Sequence, residues 1–257
     1  MDQLSTGVGD LQRGLAALRA HPRCWKYVIA PAVITAALLV GLVFGVKYAS
    51  APIVEWLTVH LPHWLAGIAG GVLHALVVIG LSAGAVVVFV PVAGLIAGPF
   101  AERLSEHLEQ AITGQPSSPF QFGEFLHGLL LAIGHGLRRV LASLGGLLLV
   151  LVIGWIPVIG TIGAIAATLW FAAHSAAYDC YDAVLGRKLM AYDAKLQYLA
   201  RYRGRTMGLG GIVAVLMLIP VANLFALGLG AAGATVAALE QDGRLPALPE
   251  ARVAARY

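Results

Sequence analysis

The sequence predicts an all-α integral membrane protein, and three observations support this fold class. The charged residues leave four long uncharged stretches, at residues 27–46, 56–100, 140–178 and 206–239. About 20 apolar residues cross the hydrocarbon core, and each charge at a helix centre costs roughly 2.5–3.5 kcal/mol. Hydrophobic residues make up 59% of the chain, and its mean hydropathy is +0.83. A short sequence motif, Ile-Pro-Val, recurs around Pro157 and Pro220 in the middle of the last two stretches, and each copy is called a proline phrase. We therefore expect two long transmembrane helices plus two Pro-broken, hemi-penetrating (re-entrant) helical hairpins, preceded by an amphipathic N-terminal helix.

The segment 1–26 carries the pattern of that amphipathic helix. Spacings of three and four place five apolar residues on one stripe: Leu4, Val8, Leu11, Leu15 and Leu18. The opposite face carries Asp10, Arg13 and Arg19. Such a helix can lie in the plane of the membrane interface. It can equally pack against the rim of the helical bundle, and the sequence leaves both interpretations open.

The first two uncharged stretches predict the two long crossings. Lys26 and Lys47 bracket the first, at 27–46, which fits one complete transmembrane helix. The second transmembrane helix is expected at 64–100, and its length is about 55 Å at 1.5 Å per residue. Because this exceeds a straight crossing, we expect a tilted helix that bends near Pro91.

The last two stretches predict the hairpins. Pro157 divides 140–178 and Pro220 divides 206–239, and most of the resulting arms are shorter than the roughly 30 Å hydrocarbon core. Paired short, Pro-interrupted segments are typical of re-entrant elements around a transport site. Thr161 and Asn223 follow the two breaks, where a new helix would begin. They are candidate anion-binding residues because helix N-termini bind oxyanions, and simple N-caps are the alternative.

Polar segments join these elements within a single membrane domain, 1–257. We expect cytoplasmic helices at 101–139, a basic cytoplasmic block at 179–205 and a polar tail at 240–257. If both hairpins leave on the side they enter, every basic residue except Lys47 shares one side of the membrane with both termini. The positive-inside rule makes that side the cytoplasm.

Two glutamates after the second crossing have two possible roles. Glu106 and Glu109 lie three residues apart on a predicted helix, and Arg103 is in position to pair with them along a solvated face. Alternatively, they form a charge network with Arg138 and Arg139 at a pore mouth. In the basic block we expect surface ion pairs among four residues: Asp179, Asp182, Arg187 and Lys188.

Several function classes are disfavoured by the sequence. Cys24 and Cys180 stand far apart, and no zinc-ligand spacing is present, so we expect no disulfide and no metal site. No nucleophile elbow, phosphate-binding loop or dinucleotide motif occurs in a suitable setting, so we expect no enzyme and no cofactor. The net charge of +4 comes from residues that flank apolar stretches, which indicates contact with the lipid bilayer rather than with nucleic acid.

The order of the motifs resembles one known family. Ala97-Gly-Pro-Phe100 is followed by Leu104-Ser-Glu-His-Leu108, and the Pro157 and Pro220 phrases come next with similar spacing. This arrangement, from about Gly7 to Ala238, is similar to the CysZ family of bacterial inner-membrane sulfate permeases. The resemblance implies two long transmembrane helices and two hemi-penetrating hairpins. It also implies transport of a small oxyanion, with sulfate the first expectation, in the bacterial inner membrane.

The resemblance also points to a candidate anion-binding turn. The family has a Gly-x-Arg-Arg-like turn before its first transmembrane helix, where this chain has residues 21–27. Lys26 falls on the second basic position, Trp25 replaces the first arginine, and Arg23 can reach the site from earlier in the chain. We expect a channel or facilitator that works as a homo-oligomer, because two half-crossing hairpins do not enclose a path alone. A membrane-shaping or partner-binding protein without transport activity is the alternative.

Overall fold

The computed structural model describes residues 3–60, 63–115 and 159–245, together with 123, 134, 138, 144–146, 148–152, 154 and 155. Every regular element in these ranges is helical, which confirms the predicted all-α class. The chain divides into two compact units, Ala30–Gly98 and a larger one built from Met1–Ile29 and Pro99–Tyr257.

Two long helices run through the smaller unit. Helix α2 spans Lys26–His60 and helix α3 spans His63–Thr113. Each is longer than its predicted crossing: α2 continues beyond the first uncharged stretch, and α3 continues into the predicted cytoplasmic segment. Large apolar side chains cover the outside of both helices, including Val33, Val43, Leu76 and Val87. Exposure of this kind is costly in water but is the normal state of a lipid-facing helix.

The larger unit holds the remaining helices and the buried core. After α1 (Gln3–Ala20) and a short 3₁₀ turn (Pro22–Trp25) come α4 (Ile159–Leu185) and α5 (Tyr192–Arg201). Helix α6 (Arg203–Met217) and helix α7 (Pro220–Gln241) complete the unit. Its core is formed by α1, α4, α6 and α7, which pack against one another through small residues and a few large ones.

Close backbone contact explains why α1 is rich in glycine. A Cβ atom on Gly7 would overlap the carbonyl oxygen of Arg205 in α6, and one on Gly14 would overlap the backbone of Gly233 in α7. The two glycines therefore let α1 lie directly against the other helices, as small residues do in membrane bundles.

The predicted apolar stripe of α1 coincides only in part with the buried face of the helix. The buried positions are Gly7, Asp10, Gly14 and Leu18, whereas Leu4 and Val8 are exposed. Leu18 belongs to both sets, but hydrophobicity does not identify the other buried positions, because α1 is packed by its smallest residues and by an ion pair of Asp10. Of the two interpretations of α1, the structure shows packing against the bundle.

The α6–α7 hairpin breaks at the predicted proline phrase. Helix α6 ends at Met217, and α7 begins at Pro220, whose missing N–H is tolerated in the first turn. The 15 residues of α6 extend about 22 Å and the 22 residues of α7 about 33 Å. The phrase around Pro157 lies outside the described residues, and α4 begins just after it.

Three helices in the described ranges are long and apolar enough to cross a membrane. They occupy Pro22–His60, Gly71–Thr113 and Val221–Gln241. The first contains the predicted crossing 27–46, the second covers residues 71–100 of the predicted crossing 64–100, and the third is the second arm of the α6–α7 hairpin. The depth to which that hairpin enters the bilayer stays a prediction.

Candidate functional site

A cavity of about 470 Å³ lies in the larger unit, between the 3₁₀ turn and the last turns of α3. Its described lining consists of Ala20, His21, Pro22, Arg23, Cys24, Lys26, His107, Gln110 and Ala111. Arg23 and Lys26 bring positive charge, and no carboxylate is among these lining residues. The cavity therefore combines positive charge with hydrogen-bond donors, which suits an anion.

Burial of two apolar residues sets the position of the basic ones. Cys24 and Val28 are buried in a cluster with Leu104 and Leu108 of α3. The turn is closed by a hydrogen bond in which the Cys24 N–H donates to the His21 carbonyl oxygen at 3.0 Å. With Cys24 fixed inward, Arg23 stays exposed on the cavity side of the turn.

His107 is held between α2 and α3 by both ring nitrogens. Nδ1 lies 2.9 Å from the carbonyl oxygen of Arg103, and Nε2 lies 3.1 Å from the hydroxyl of Tyr27. A carbonyl oxygen only accepts, so the Nδ1 proton donates to it; in the neutral ring, Nε2 then accepts the Tyr27 O–H. The two rings also pack at 4.8 Å between centroids. This pair fixes the first turn of α2 beside the cavity wall.

The two other candidate anion-binding residues are on different helices. Thr161 is in the first turn of α4 and Asn223 is in the first turn of α7, and both side chains are exposed. Neither belongs to the lining of the cavity around Arg23 and Lys26. The backbone N–H of Asn223 donates to the Ile219 carbonyl oxygen at 2.8 Å, so only amides earlier in α7 precede the first helical hydrogen bond.

The glutamates of the candidate charge network have other partners. Glu106 pairs with Arg103 at 3.0 Å, and Glu109 accepts from Arg187 at 2.6 Å and from Arg244. Arg138 is exposed and, among the described residues, forms no ion pair with either glutamate. Arg139 lies outside the described residues.

The ion pairs expected within the basic block are formed with different partners. Asp182 pairs with Lys195, which is buried, at 2.6 Å. Lys188 pairs with Asp242 at 2.6 Å, and Arg187 pairs with Glu109. Proximity in the sequence was a poor guide here because α5, α7 and α3 bring more distant partners to these side chains.

A network of four charged side chains around the buried Asp10 was not predicted from the sequence. Asp10 of α1 is 0% exposed, and its carboxylate accepts from Arg205 Nε at 2.6 Å and from Arg205 Nη2 at 2.8 Å. Arg13 and Arg205 both donate to Glu240 at 2.7 Å. Burial alone would lower the pKa of Arg205, but its hydrogen bonds and charge interactions with Asp10 and Glu240 together outweigh burial and raise the pKa. The network neutralises itself and ties α1 to α6 and α7.

A second chain of polar contacts links α3, α7 and the turn that follows α4. Arg187 donates to the hydroxyl of Ser105 at 2.9 Å, and Thr235 of α7 donates to the same hydroxyl at 2.9 Å. Ser105 and Thr235 are fully buried. The available sequence signal was a small polar residue inside an otherwise apolar stretch, which must find a partner.

These features define an all-helical integral membrane protein with a cation-lined cavity. Within the described ranges, no group of three or more His, Cys, Asp or Glu side chains could hold a metal ion. Residues 10–227 match the family described as "Sulfate transporter CysZ/Etoposide-induced protein 2.4", and the chain belongs to this family.

Bacterial relatives resemble the chain over nearly its whole length. It is 30% identical over 241 residues to a "Sulfate transporter CysZ" of Pseudomonas syringae pv. tomato, covering 93% of each chain. The protein of the same name from Pseudomonas fluorescens strain Pf0-1 is 27% identical over 93% of this chain and 94% of its own. That of Vibrio parahaemolyticus is 26% identical over 91% of this chain and 94% of its own.

Proposed function

We propose that this chain carries sulfate, or a closely similar oxyanion, into the cell across the bacterial inner membrane as a channel or facilitator. The main support for this proposal is the cavity beside the 3₁₀ turn, where Arg23 and Lys26 contribute positive charge and the described lining contains no carboxylate. The bacterial relatives are named as sulfate transporters, which supports the same ion.

In this proposal Arg23 and Lys26 attract and hold the anion. A guanidinium presents several N–H donors to the oxygens of a tetrahedral dianion, and an ammonium adds a compact point charge. Lys26 Nζ lies 4.8 Å from the centroid of the Tyr27 ring, so it is supported by the pair that also fixes His107. The turn lacks the family's pair of arginines, and Arg23 and Lys26, which are three residues apart, supply two positive charges in their place.

Thr161 and Asn223 are proposed to contact the anion farther along its path. Each is in the first turn of a helix, where backbone amides and the helix dipole favour negative charge. Binding through dipoles avoids placing a full positive charge in the membrane, where it would trap a dianion. The proline breaks are proposed to set these helix starts within re-entrant hairpins.

The glutamates near the cavity are proposed to keep the pore mouth free of uncompensated negative charge. Glu106 and Glu109 flank His107 and Gln110 on the same stretch of α3. Arg103, Arg187 and Arg244 balance both carboxylates, so an approaching anion meets little repulsion from them. Arg138 and Arg139 are proposed to add positive potential to this mouth.

The proposed topology places both termini and the basic block in the cytoplasm. All basic residues except Lys47 then follow the positive-inside rule. A homo-oligomer is proposed because hairpins that cross only part of the bilayer need neighbours to enclose a path. The non-transporting alternative is weaker because α1 packs against α6 and α7 instead of standing apart from the bundle, and because the named bacterial relatives are sulfate transporters.

Uptake of radiolabelled sulfate into liposomes holding the purified chain tests the proposal. Wild-type protein should carry sulfate faster than empty liposomes do, and excess unlabelled sulfate should compete. Thiol labelling of cysteines introduced at Thr58 and Gln197, without the native cysteines, reports the insertion direction. Correctly inserted protein that carries no sulfate would refute the proposal and leave the membrane-shaping or partner-binding alternative.

A further inference from the structure

A basic and aromatic patch lies on the larger unit, apart from the cavity lining. The guanidinium of Arg203 lies 6.0 Å from the Trp170 ring centroid, and that of Arg201 lies 5.7 Å from the Tyr202 ring centroid. Trp170 is in turn stacked on His174, with ring centroids 5.4 Å apart and planes 4° apart. Arg203 contacts Trp170 directly, and Arg201 is two residues before Arg203 in the chain. We name Trp170, Arg201 and Arg203 the Trp170 patch.

The positive charge of this patch is available to a partner. Both arginines are exposed, and neither forms an ion pair with a carboxylate in the part of the chain that the structure describes. By contrast, Arg205, two residues after Arg203, is not available, because its guanidinium donates to Asp10 and Glu240. Contact with an aromatic face orients an arginine without neutralising it.

An exposed apolar strip adjoins the patch on α4. Ile162, Ile165 and Leu169 follow one another at spacings of three and four, so they share a helix face. Their exposed fractions are 68%, 57% and 65%. From Ile162 to Trp170 the helix rises about 12 Å, which is within the roughly 15 Å depth of one leaflet.

We propose that the Trp170 patch and this strip bind one anionic phospholipid. Its acyl chains lie along Ile162, Ile165 and Leu169, and its phosphate accepts hydrogen bonds from Arg201 and Arg203. Trp170 sits at the boundary between the two, the level at which tryptophan is enriched in membrane proteins. A soluble anion would contact the two arginines alone, whereas one phospholipid contacts both the arginines and the adjoining apolar strip, so the observations favour the lipid.

Native mass spectrometry of the full-length protein tests the preference. The protein, in neutral detergent, is given equal amounts of phosphatidylglycerol and phosphatidylcholine with the same acyl chains. Wild-type protein should retain several-fold more phosphatidylglycerol. Arg201→Gln with Arg203→Gln should bring the ratio close to one, whereas Arg19→Gln with Lys47→Gln, which removes the same charge elsewhere, should keep it. Equal losses in both double variants, or no loss in the first, would overturn the proposal.

Two further measurements distinguish a phospholipid site from a site for a soluble anion. Excess sodium sulfate at constant ionic strength should leave the bound lipid in place, and displacement of the lipid by sulfate would show a soluble-anion site instead. In a protein whose only tryptophan is Trp170, brominated phosphatidylglycerol should quench fluorescence more than brominated phosphatidylcholine. Equal quenching would contradict the proposal even if the arginine variants fail to fold. None of these readouts depends on sulfate transport, so the two proposals can fail separately.

Discussion

The cavity around Arg23 and the network around Asp10 use the same kinds of charged side chain in opposite ways. At the cavity, Arg23 and Lys26 are exposed, and no carboxylate belongs to the described lining. In the network, Arg13 and Arg205 are bound to Asp10 and Glu240 through hydrogen bonds of 2.6–3.1 Å. The first region leaves its charge available to a ligand, and the second uses its charge to join helices.

The difference follows from the packing of each region. The network is closed by α1, whose glycines allow it to approach α6 and α7 until Asp10 is fully buried. A buried charge without partners is very costly, so every charge there has an opposite partner. The 3₁₀ turn instead buries Cys24 and leaves its basic neighbours exposed, where an unpaired charge costs little.

Removal of the Asp10 carboxylate should have the largest effect. Asp10→Asn leaves Arg13 and Arg205 with Glu240 as their shared acid, and breaking a buried pair in this way costs about 3–5 kcal/mol. The free energy of unfolding in mixed micelles should fall by that amount. Asp193→Asn, at an exposed position of α5, is the control and should change it by less than about 0.5 kcal/mol. Equal effects would show that the Asp10 network does not stabilise the fold.

Neutralising the cavity cations should affect transport and leave stability nearly unchanged. At contact distance each charge contributes about 1 kcal/mol of attraction per unit of anion charge in a water-like dielectric. Arg23→Gln with Lys26→Gln should therefore lower sulfate flux in liposomes several-fold and weaken its dependence on salt. Arg19→Gln with Lys47→Gln removes equal charge and should retain the flux. Full flux in the first variant, with correct insertion, would remove Arg23 and Lys26 from the proposed site.

Much of the fold could be predicted because hydrophobicity and proline act locally. Uncharged stretches of sufficient length located the long apolar helices, and the Pro220 phrase located the start of α7. The true length of α2 was not predictable in this way, since Lys47 and Glu55 end an apolar stretch without ending a helix. Most of the buried face of α1 was also missed, because hydrophobicity does not rank glycine contacts or a buried aspartate.

The candidate site was predictable where it depends on neighbouring residues and unpredictable where it depends on distant pairing. Arg23 and Lys26 lie three residues apart, and the structure places both on one cavity. Thr161 and Asn223 were found from the proline breaks, and they line no part of that cavity. The partners of Glu109 are 78 and 135 residues away, and no local pattern marks such pairs.

Loss of the Tyr27 hydroxyl should have a moderate effect on the frame of the cavity. Tyr27→Phe leaves Nε2 of His107 without its donor, and a hydrogen bond of this kind contributes about 0.5–1.5 kcal/mol. The free energy of unfolding should fall by that amount, and the ring contact with His107 should remain. Tyr48→Phe, at a 71% exposed position of α2, is the matched control and should have almost no effect. A similar change in both variants would show that the hydroxyl does not hold His107.

The Arg103–Glu106 pair should give the smallest effect, and it compares a glutamate that has one exposed arginine partner with a glutamate that has two less exposed partners on the same helix. The two side chains are three residues apart, and that of Arg103 is 45% exposed, so Glu106→Gln should cost only about 0.2–0.5 kcal/mol. Glu109, three residues farther along α3, is the comparison, because its carboxylate accepts from both Arg187 and Arg244. Glu109→Gln should lower the free energy of unfolding at least three times as much when both variants are unfolded in the same mixed micelles. If the two substitutions cost the same, the position of a charge on α3 would not decide whether it stabilises the fold, and the contrast between the cavity and the Asp10 network would lose its physical basis.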